Sequence, residues 1–280
     1  MKKAVLFFFS GTGNTWWVAR ELARALEVRG IPTELRSIEG LEAGETERLL
    51  AGADLVGAGY PVYGSDLPRP MEAFLEGLPQ IPGKRVFVFC TQWMWSGDGA
   101  RVGAAMLRNK GFDIRWTEQF LMPNNISTTP TWFLPYTNEK GRINPVLARA
   151  RRRVLRLSDR IQKDRPRRKG CNPLSRLSGG IQRVPFRWSF ESWQDDVGVD
   201  MDRCIRCGRC IRLCPVGNLR WEDGAVRARG ECILCLRCYN FCPVSAVTYR
   251  GRRHNMERGK PYAGPVRNFR PEILRERRQP

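Results

Sequence analysis

Eight of the ten cysteines in this 280-residue chain fall between positions 204 and 242. They make two copies of one pattern, "CIRCGRCIRLCP" from Cys204 and "CILCLRCYNFCP" from Cys232, 28 residues apart. Each copy reads C-x2-C-x2-C-x3-C-P. Three thiols on successive short turns can reach three corners of one polynuclear metal cluster, while the fourth, carried past a turn of helix, is directed elsewhere. Zinc suits the pattern poorly, because structural zinc takes two separated pairs of ligands around one tetrahedral ion and these runs do not divide that way. Pro215 and Pro243 lack a backbone N–H and turn the chain directly after the last cysteine of each run.

A second chemistry is written in "FFFSGTGNT", residues 7–15, where an apolar run breaks into glycines and hydroxyl residues and enters a helical pattern. Strand, small-residue turn and helix is how a chain presents N–H groups to an anion. A nucleoside-triphosphate loop needs a lysine that is missing here, and the dinucleotide fingerprint needs a third glycine where Trp16 stands. What remains is Ser10, Thr12, Asn14 and Thr15 interleaved with Gly11 and Gly13. Four hydrogen-bonding side chains without a cation suit a monophosphate on an otherwise neutral molecule. The stretch Gly97 to Gly103 imitates a nucleotide glycine motif but carries one residue too many.

The elements that must position these groups alternate. Strands are expected at 3–9, 33–38, 53–60, 84–91 and 114–122, with helices at 14–29, 100–110 and 144–164; Val18, Leu22 and Leu26 give the first helix its apolar stripe. Five strands alternating with helices imply a parallel sheet covered on both faces, an α/β doubly wound architecture. Ligands of such sheets bind beyond the carboxyl ends of the strands, where strand order reverses. Two further loops there are rich in residues that stack on a flat ligand: "YPVYGSDLPRP" (60–70), with Pro61, Val62, Tyr63 and Gly64, and "TQWMWSGDGA" (91–100), with Trp93, Trp95 and Gly97.

The hydroxyl-and-glycine loop after strand one, with aromatic loops after strands three and four, resembles flavodoxin over residues 1–165. That resemblance implies FMN, with residues 10–15 on its phosphate and the two later loops on its ring. The cysteine repeat resembles bacterial two-cluster ferredoxins, implying a small α+β domain at 199–250 and two 4Fe-4S clusters. Carried over position by position, Cys204, Cys207, Cys210 and Cys242 would hold one cluster, and Cys232, Cys235, Cys238 and Cys214 the other. Together the two halves resemble the flavodoxin–ferredoxin fusion proteins found mainly in anaerobes.

Charge is lopsided. The chain carries a formal net charge of +20; residues 1–150 have 17 Lys and Arg against 15 Asp and Glu, and residues 151–280 have 31 against 13. Part of this excess compensates thiolate-bound clusters, so nucleic-acid binding is the weaker reading, and docking of acidic redox proteins through Arg206, Arg209, Arg212 and Arg237 the stronger. The stretch 166–198 reads as a basic, aperiodic linker in which Phe186, Trp188, Phe190 and Trp193 anchor one module on the other. Without a clean amphipathic pattern, it gives little support to membrane-surface attachment. Residues 251–280 read as a solvated basic tail holding the single histidine, His254. Clustered cysteines and the lack of an export signal point to a reducing cytoplasm, and no apolar stretch is long enough to span a membrane. The expected function is electron transfer between two 4Fe-4S clusters, FMN and redox partners, with FMN-dependent reduction of a small substrate as the alternative. Neither needs an acid, base or nucleophile from the chain, and oligomeric state is left open.

Overall fold

The computed structural model describes residues 2–127, 136, 143–194 and 196–275. Strands β1 (Ala4–Phe8), β2 (Thr33–Ser37), β3 (Leu55–Pro61), β4 (Arg85–Gln92) and β5 (Asp113–Leu121) form a parallel sheet in the order 2-1-3-4-5. A sixth strand that sequence periodicity misses, β6 (Arg167–Arg168), extends the edge beside β5. Two residues carry no period to read.

β1 shows why the sheet must be sandwiched. Leu6 and Phe8 enter one apolar core with helices α1 (Asn14–Glu27) and α5 (Ile143–Gln162). Val5, Phe7 and Phe9 enter the opposite core, which is closed by α2 (Ala43–Ala51), α3 (Arg69–Glu76) and α4 (Gly99–Asn109). Alternate side chains of a strand point to opposite faces, so a strand apolar at every position needs cover on both. The order reverses between β1 and β3, which places the loop after β1 at the switch point.

The segment expected to be an aperiodic linker is instead a 22-residue helix, α6 (Pro173–Gln194), despite Pro185, Gly179 and Gly180 within it. Tertiary contacts override that poor propensity. Arg183 pairs with Asp98 and donates to the Ser65 carbonyl at 3.0 Å, Arg187 reaches Asp66 at 2.5 Å, and Gln182 bonds Ser65. Phe186 fills the space a side chain would take at Gly64, and Phe190 stacks near Arg69. Trp188, an expected anchor, points to solvent; the Trp193 side chain lies outside the described residues.

The cysteine-rich part is built twice. Helices α7 (Arg209–Leu213) and α8 (Arg237–Phe241) follow the two runs, accompanied by the antiparallel pairs β7 (Val197–Val199) with β10 (Val247–Tyr249) and β8 (Leu219–Glu222) with β9 (Ala225–Ala228). Equivalent residues repeat the same left-handed backbone, Arg206 and Leu234 at φ 56° and 54°, Gly208 and Leu236 at φ 66° and 57°.

The C-terminal stretch expected to be a solvated tail is packed. Leu274 is buried in the α1/α5 core, Ser37 Oγ donates to the Leu274 carbonyl at 2.6 Å, and Phe269 lies against Trp16 and Phe241. His254 is buried rather than solvated. Its Nε2 is 2.8 Å from the Gly259 carbonyl, which can only accept, so Nε2 carries the proton and Nδ1 of the neutral ring accepts from Ser127 Oγ at 2.9 Å. Burial lowers the His254 pKa from its usual 6.5, against the opposing effect of the Gly259 bond. A depressed pKa makes this site's stabilisation complete above the unfolded value and lost as pH falls through the folded one. Wild type should therefore lose more stability between pH 7.5 and 5.5 than His254→Asn does, measured by denaturant unfolding; equal losses would show that His254 does not titrate with folding.

Candidate functional site

The loop after β1 takes its shape from Gly13, which caps α1 at φ 97°, a left-handed conformation, while Phe269 and Pro265 press where its side chain would be. Gly13 N donates to Ser10 Oγ at 3.1 Å, closing the turn. The first-turn N–H groups of this 14-residue helix, which starts directly after the loop, lack intrahelical partners. Hydroxyls are held from outside the loop: Asn125 Nδ2 donates to Thr12 Oγ1 at 2.8 Å, and Thr15 Oγ1 lies 2.8 Å from Thr91 Oγ1. Asn14 bridges two segments, donating to the Pro123 carbonyl at 3.0 Å and accepting from the Tyr262 hydroxyl at 2.6 Å.

Above this loop lies a cavity of about 300 Å³. Ser10, Gly11, Thr12, Asn14 and Thr15 form its floor, and Pro61, Val62, Tyr63, Gly64, Trp93 and Trp95 its walls. Two expected residues lie away from it. Gly13 serves as the cap, and Gly97 seats α6, since its φ is 54° and a side chain there would meet Gly179 N at 2.4 Å. Other lining residues were not assigned to the site from sequence, among them Asn124, Asn125 and Ile126 after β5, Gln182 and Phe186 of α6, and Leu234, Leu236 and Tyr249 from the cysteine-rich part. The first group had a usable signal, because "PNN" follows an expected strand at its carboxyl end. The others are distant in sequence and meet only through folding.

The two halves touch directly at the loop. A side chain on Gly11 would sit 2.7 Å from the Cys235 carbonyl. Arg237, expected as an exposed docking charge, is fully buried instead. Its Nε donates to the Gly11 carbonyl at 3.0 Å, Nη2 to the Ser10 carbonyl at 2.8 Å, and Nη1 to the Leu213 carbonyl at 3.1 Å. Both terminal nitrogens also grip the Glu39 carboxylate, at 3.0 and 2.5 Å. The planar fork thus ties the β1 loop, the loop after β2 and the end of α7 to the second cysteine run. Tyr63 completes the contact. Burial of its hydroxyl end holds the phenol well above its ordinary pKa, with the Cys235 thiol adding to the effect.

The thiols fall into two neighbourhoods. Cys210 is pushed up to about 11, first by burial and then by Cys242, Cys204 and Cys207, against a lowering bond from the Ile211 N–H. Cys238 is raised by burial and then by Cys235, Cys232, Cys214 and Cys210. Backbone N–H groups point at sulfur in matching places: Arg206 N and Leu234 N at Cys204 Sγ and Cys232 Sγ, each 3.4 Å, and Asn218 N and Ala246 N at Cys214 Sγ and Cys242 Sγ, each 3.2 Å. Among the described residues no three His, Cys, Asp or Glu side chains converge as around a single ion. Of the other two cysteines, Cys90 is fully buried and held up to about 12 by desolvation, an inert core thiol, and Cys171 contacts Thr117 at 3.7 Å.

Residues 196–243 match the family model of a 4Fe-4S dicluster domain. No curated protein matches the chain. Among solved structures, a flavodoxin from the domain Archaea shares 18% identity and a TM-score of 0.40 over 57% of this chain and 99% of its own. A flavodoxin of Streptococcus pneumonia TIGR4 shares 17% and 0.43 over 58% and 99%. Rubredoxin oxygen:oxidoreductase of Desulfovibrio gigas shares 18% and 0.46 over 59% of this chain and 36% of its own. By strand order the first half is a flavodoxin-like α/β unit. The chain joins that unit to a 4Fe-4S dicluster domain.

Proposed function

We propose that this protein is an electron-transfer flavo-iron-sulfur protein, passing electrons between two 4Fe-4S clusters and a noncovalent FMN. The observation that carries the reading is the shared cavity, whose floor is the β1 loop and whose wall includes Leu234 and Leu236 from between the cysteines of the second run. A flavin accepts one or two electrons whereas each cluster moves one, so a chain holding both converts between single-electron and two-electron partners.

The donor sets fit these groups. The floor offers hydroxyls and N–H groups without a cation, suited to a phosphate monoester, and the aromatic walls suit a flat ring. Cys204, Cys207, Cys210 and Cys242 form one ligand set and Cys232, Cys235, Cys238 and Cys214 the other, in keeping with the two electrostatic neighbourhoods of thiols. The four N–H groups aimed at sulfur are the kind of contact that tunes cluster potential. Tyr63 and the loop around Trp93 wall the cavity, and Arg237 holds the cysteine loop against the phosphate loop.

Acidic redox proteins would dock on the first cysteine run. Cys207, Arg206 and Arg212 are exposed there, while Arg209 is partly engaged by Glu272 at 3.2 Å. Among the described residues no helix is long and apolar enough to cross a membrane.

The decisive experiment is anaerobic purification with visible spectroscopy and iron, sulfide and flavin analysis. FMN released by acid, with about eight irons per chain, is expected. FAD, no flavin after reconstitution, or zinc in place of iron would overturn the reading. Thr12→Ala should weaken FMN binding by about 1–2 kcal/mol, the usual worth of a hydrogen bond to a charged group. Titration of the apoprotein by flavin fluorescence checks this, and an unchanged affinity would remove Thr12 from the phosphate site.

A further inference from the structure

α6 has a second face that no described residue covers. Leu174, Leu177, Ile181, Val184 and Trp188 recur at steps of three and four, and each is between 46 and 81% exposed. They form one apolar stripe about 21 Å long on the side of the helix away from its anchors. Those anchors, Gly179, Gln182, Arg183 and Phe186, already hold the helix on the flavodoxin-like unit, so the stripe is not needed for folding. An unbroken exposed apolar row of this kind marks an interaction surface.

Charge decides what covers it. From Arg165 to Trp188 the sequence has seven Lys and Arg and no Asp or Glu. Arg165, Arg167, Arg168, Arg176 and Arg187 are exposed. On the helix Arg176 and Arg187 lie on one flank of the stripe, so two copies packed antiparallel through it would set these arginines against each other, which opposes that dimer. A helix with an apolar row, a basic border along one side, arginines just before its start and a tryptophan beside an arginine at one end has the features of a helix that lies in the interface of a lipid bilayer. Met94 and Trp95, each 52% exposed, sit on the loop against which Gly179 of α6 packs, and they add apolar surface close by.

We propose that α6 is an interfacial helix that binds the protein to anionic membrane surfaces, with the stripe inserted among the acyl chains and the arginines on the headgroups. The geometry gives this a purpose. The opposite face of the same helix supplies Gln182 and Phe186 to the cavity wall, so attachment would hold the cavity beside membrane-resident partners. The proposal stands on exposure and charge and is independent of which cofactor the cavity takes.

The test uses the full-length protein as purified and vesicles of phosphatidylcholine with or without phosphatidylglycerol, read by co-sedimentation. Binding to the anionic vesicles, weakened but not abolished by high salt, is expected, and Leu177→Glu combined with Ile181→Glu should lower the partition coefficient by about tenfold or more. Both positions are exposed, and an unchanged visible spectrum and circular dichroism of the variant confirm its fold. No binding to anionic vesicles overturns the proposal. Equal binding by the variant also overturns it, reducing the effect to general attraction of a basic chain. A wild-type dimer in sedimentation velocity that the variant converts to monomer would assign the stripe to a second copy instead.

Discussion

Replacing Arg237 by methionine should destabilise the anaerobically reconstituted protein by about 3–5 kcal/mol, the usual cost of breaking a buried ion pair from one side. The guanidinium is fully buried and the Glu39 side chain nearly so, at 8% exposure. Removing the cation strands that carboxylate and leaves the Ser10, Gly11 and Leu213 carbonyls short of a donor. Lysine should rescue only part, since one ammonium cannot make five divergent donations. Arg237→Met with Glu39→Gln should lose less than the sum of the single changes, because the second substitution removes the stranded charge. Denaturant unfolding followed by circular dichroism and flavin fluorescence measures wild type and all four variants, Glu39→Gln alone included. A loss below about 1 kcal/mol for Arg237→Met would place the pair in the class of surface salt bridges.

Cys214→Ser should remove the same cluster as Cys235→Ser, and Cys242→Ser the same cluster as Cys207→Ser, although each pair is split between the two sequence repeats. The physical basis is the length of the x3 step. One turn of α7 or α8 carries the fourth cysteine away from its own run, and the thiols that act on Cys210 include Cys242. Electron paramagnetic resonance of the reduced variants separates the clusters; loss of one cluster in both Cys207→Ser and Cys214→Ser would contradict the crossed assignment. The two losses should also differ in consequence. The Cys232 run supplies Leu234 and Leu236 to the cavity wall and Cys235 abuts Gly11, so Cys235→Ser should largely abolish flavin reduction by electrons from the remaining cluster. Cys207→Ser leaves the nearer cluster in place and should preserve it. In wild type the flavin should be reduced at a rate independent of protein concentration, because buried contacts hold the cysteine loop to the flavodoxin-like unit. A rate proportional to concentration would mean that electrons pass between molecules.

Local chemistry settled a good part of this protein in advance. The cysteine repeat, with its x2-x2-x3 steps and terminal prolines, dictates two equivalent turns and short helices, since ligand reach depends only on residues a few positions apart. The Ser10–Thr15 loop is equally local, and a β1 that is apolar at every position demands cover on both sheet faces. Other features were decided by residues far apart in the chain. Arg237 looked like a surface charge because the groups that engage it are remote in sequence: Glu39 and the Ser10 and Gly11 carbonyls, about 200 positions away, reach it only after folding. α6 looked like a linker because proline and paired glycines lower helix propensity. Its helix is held by Asp66, Asp98 and Gly64 of the other unit. His254 looked solvated among arginines until Ser127 and Gly259 enclosed it. Sequence alone determines which ligand types the chain offers, because those types and their short spacings are local; only tertiary structure decides that the β1 loop and the second cysteine run line one cavity, because desolvation and ion pairing depend on contacts that no short window of sequence contains.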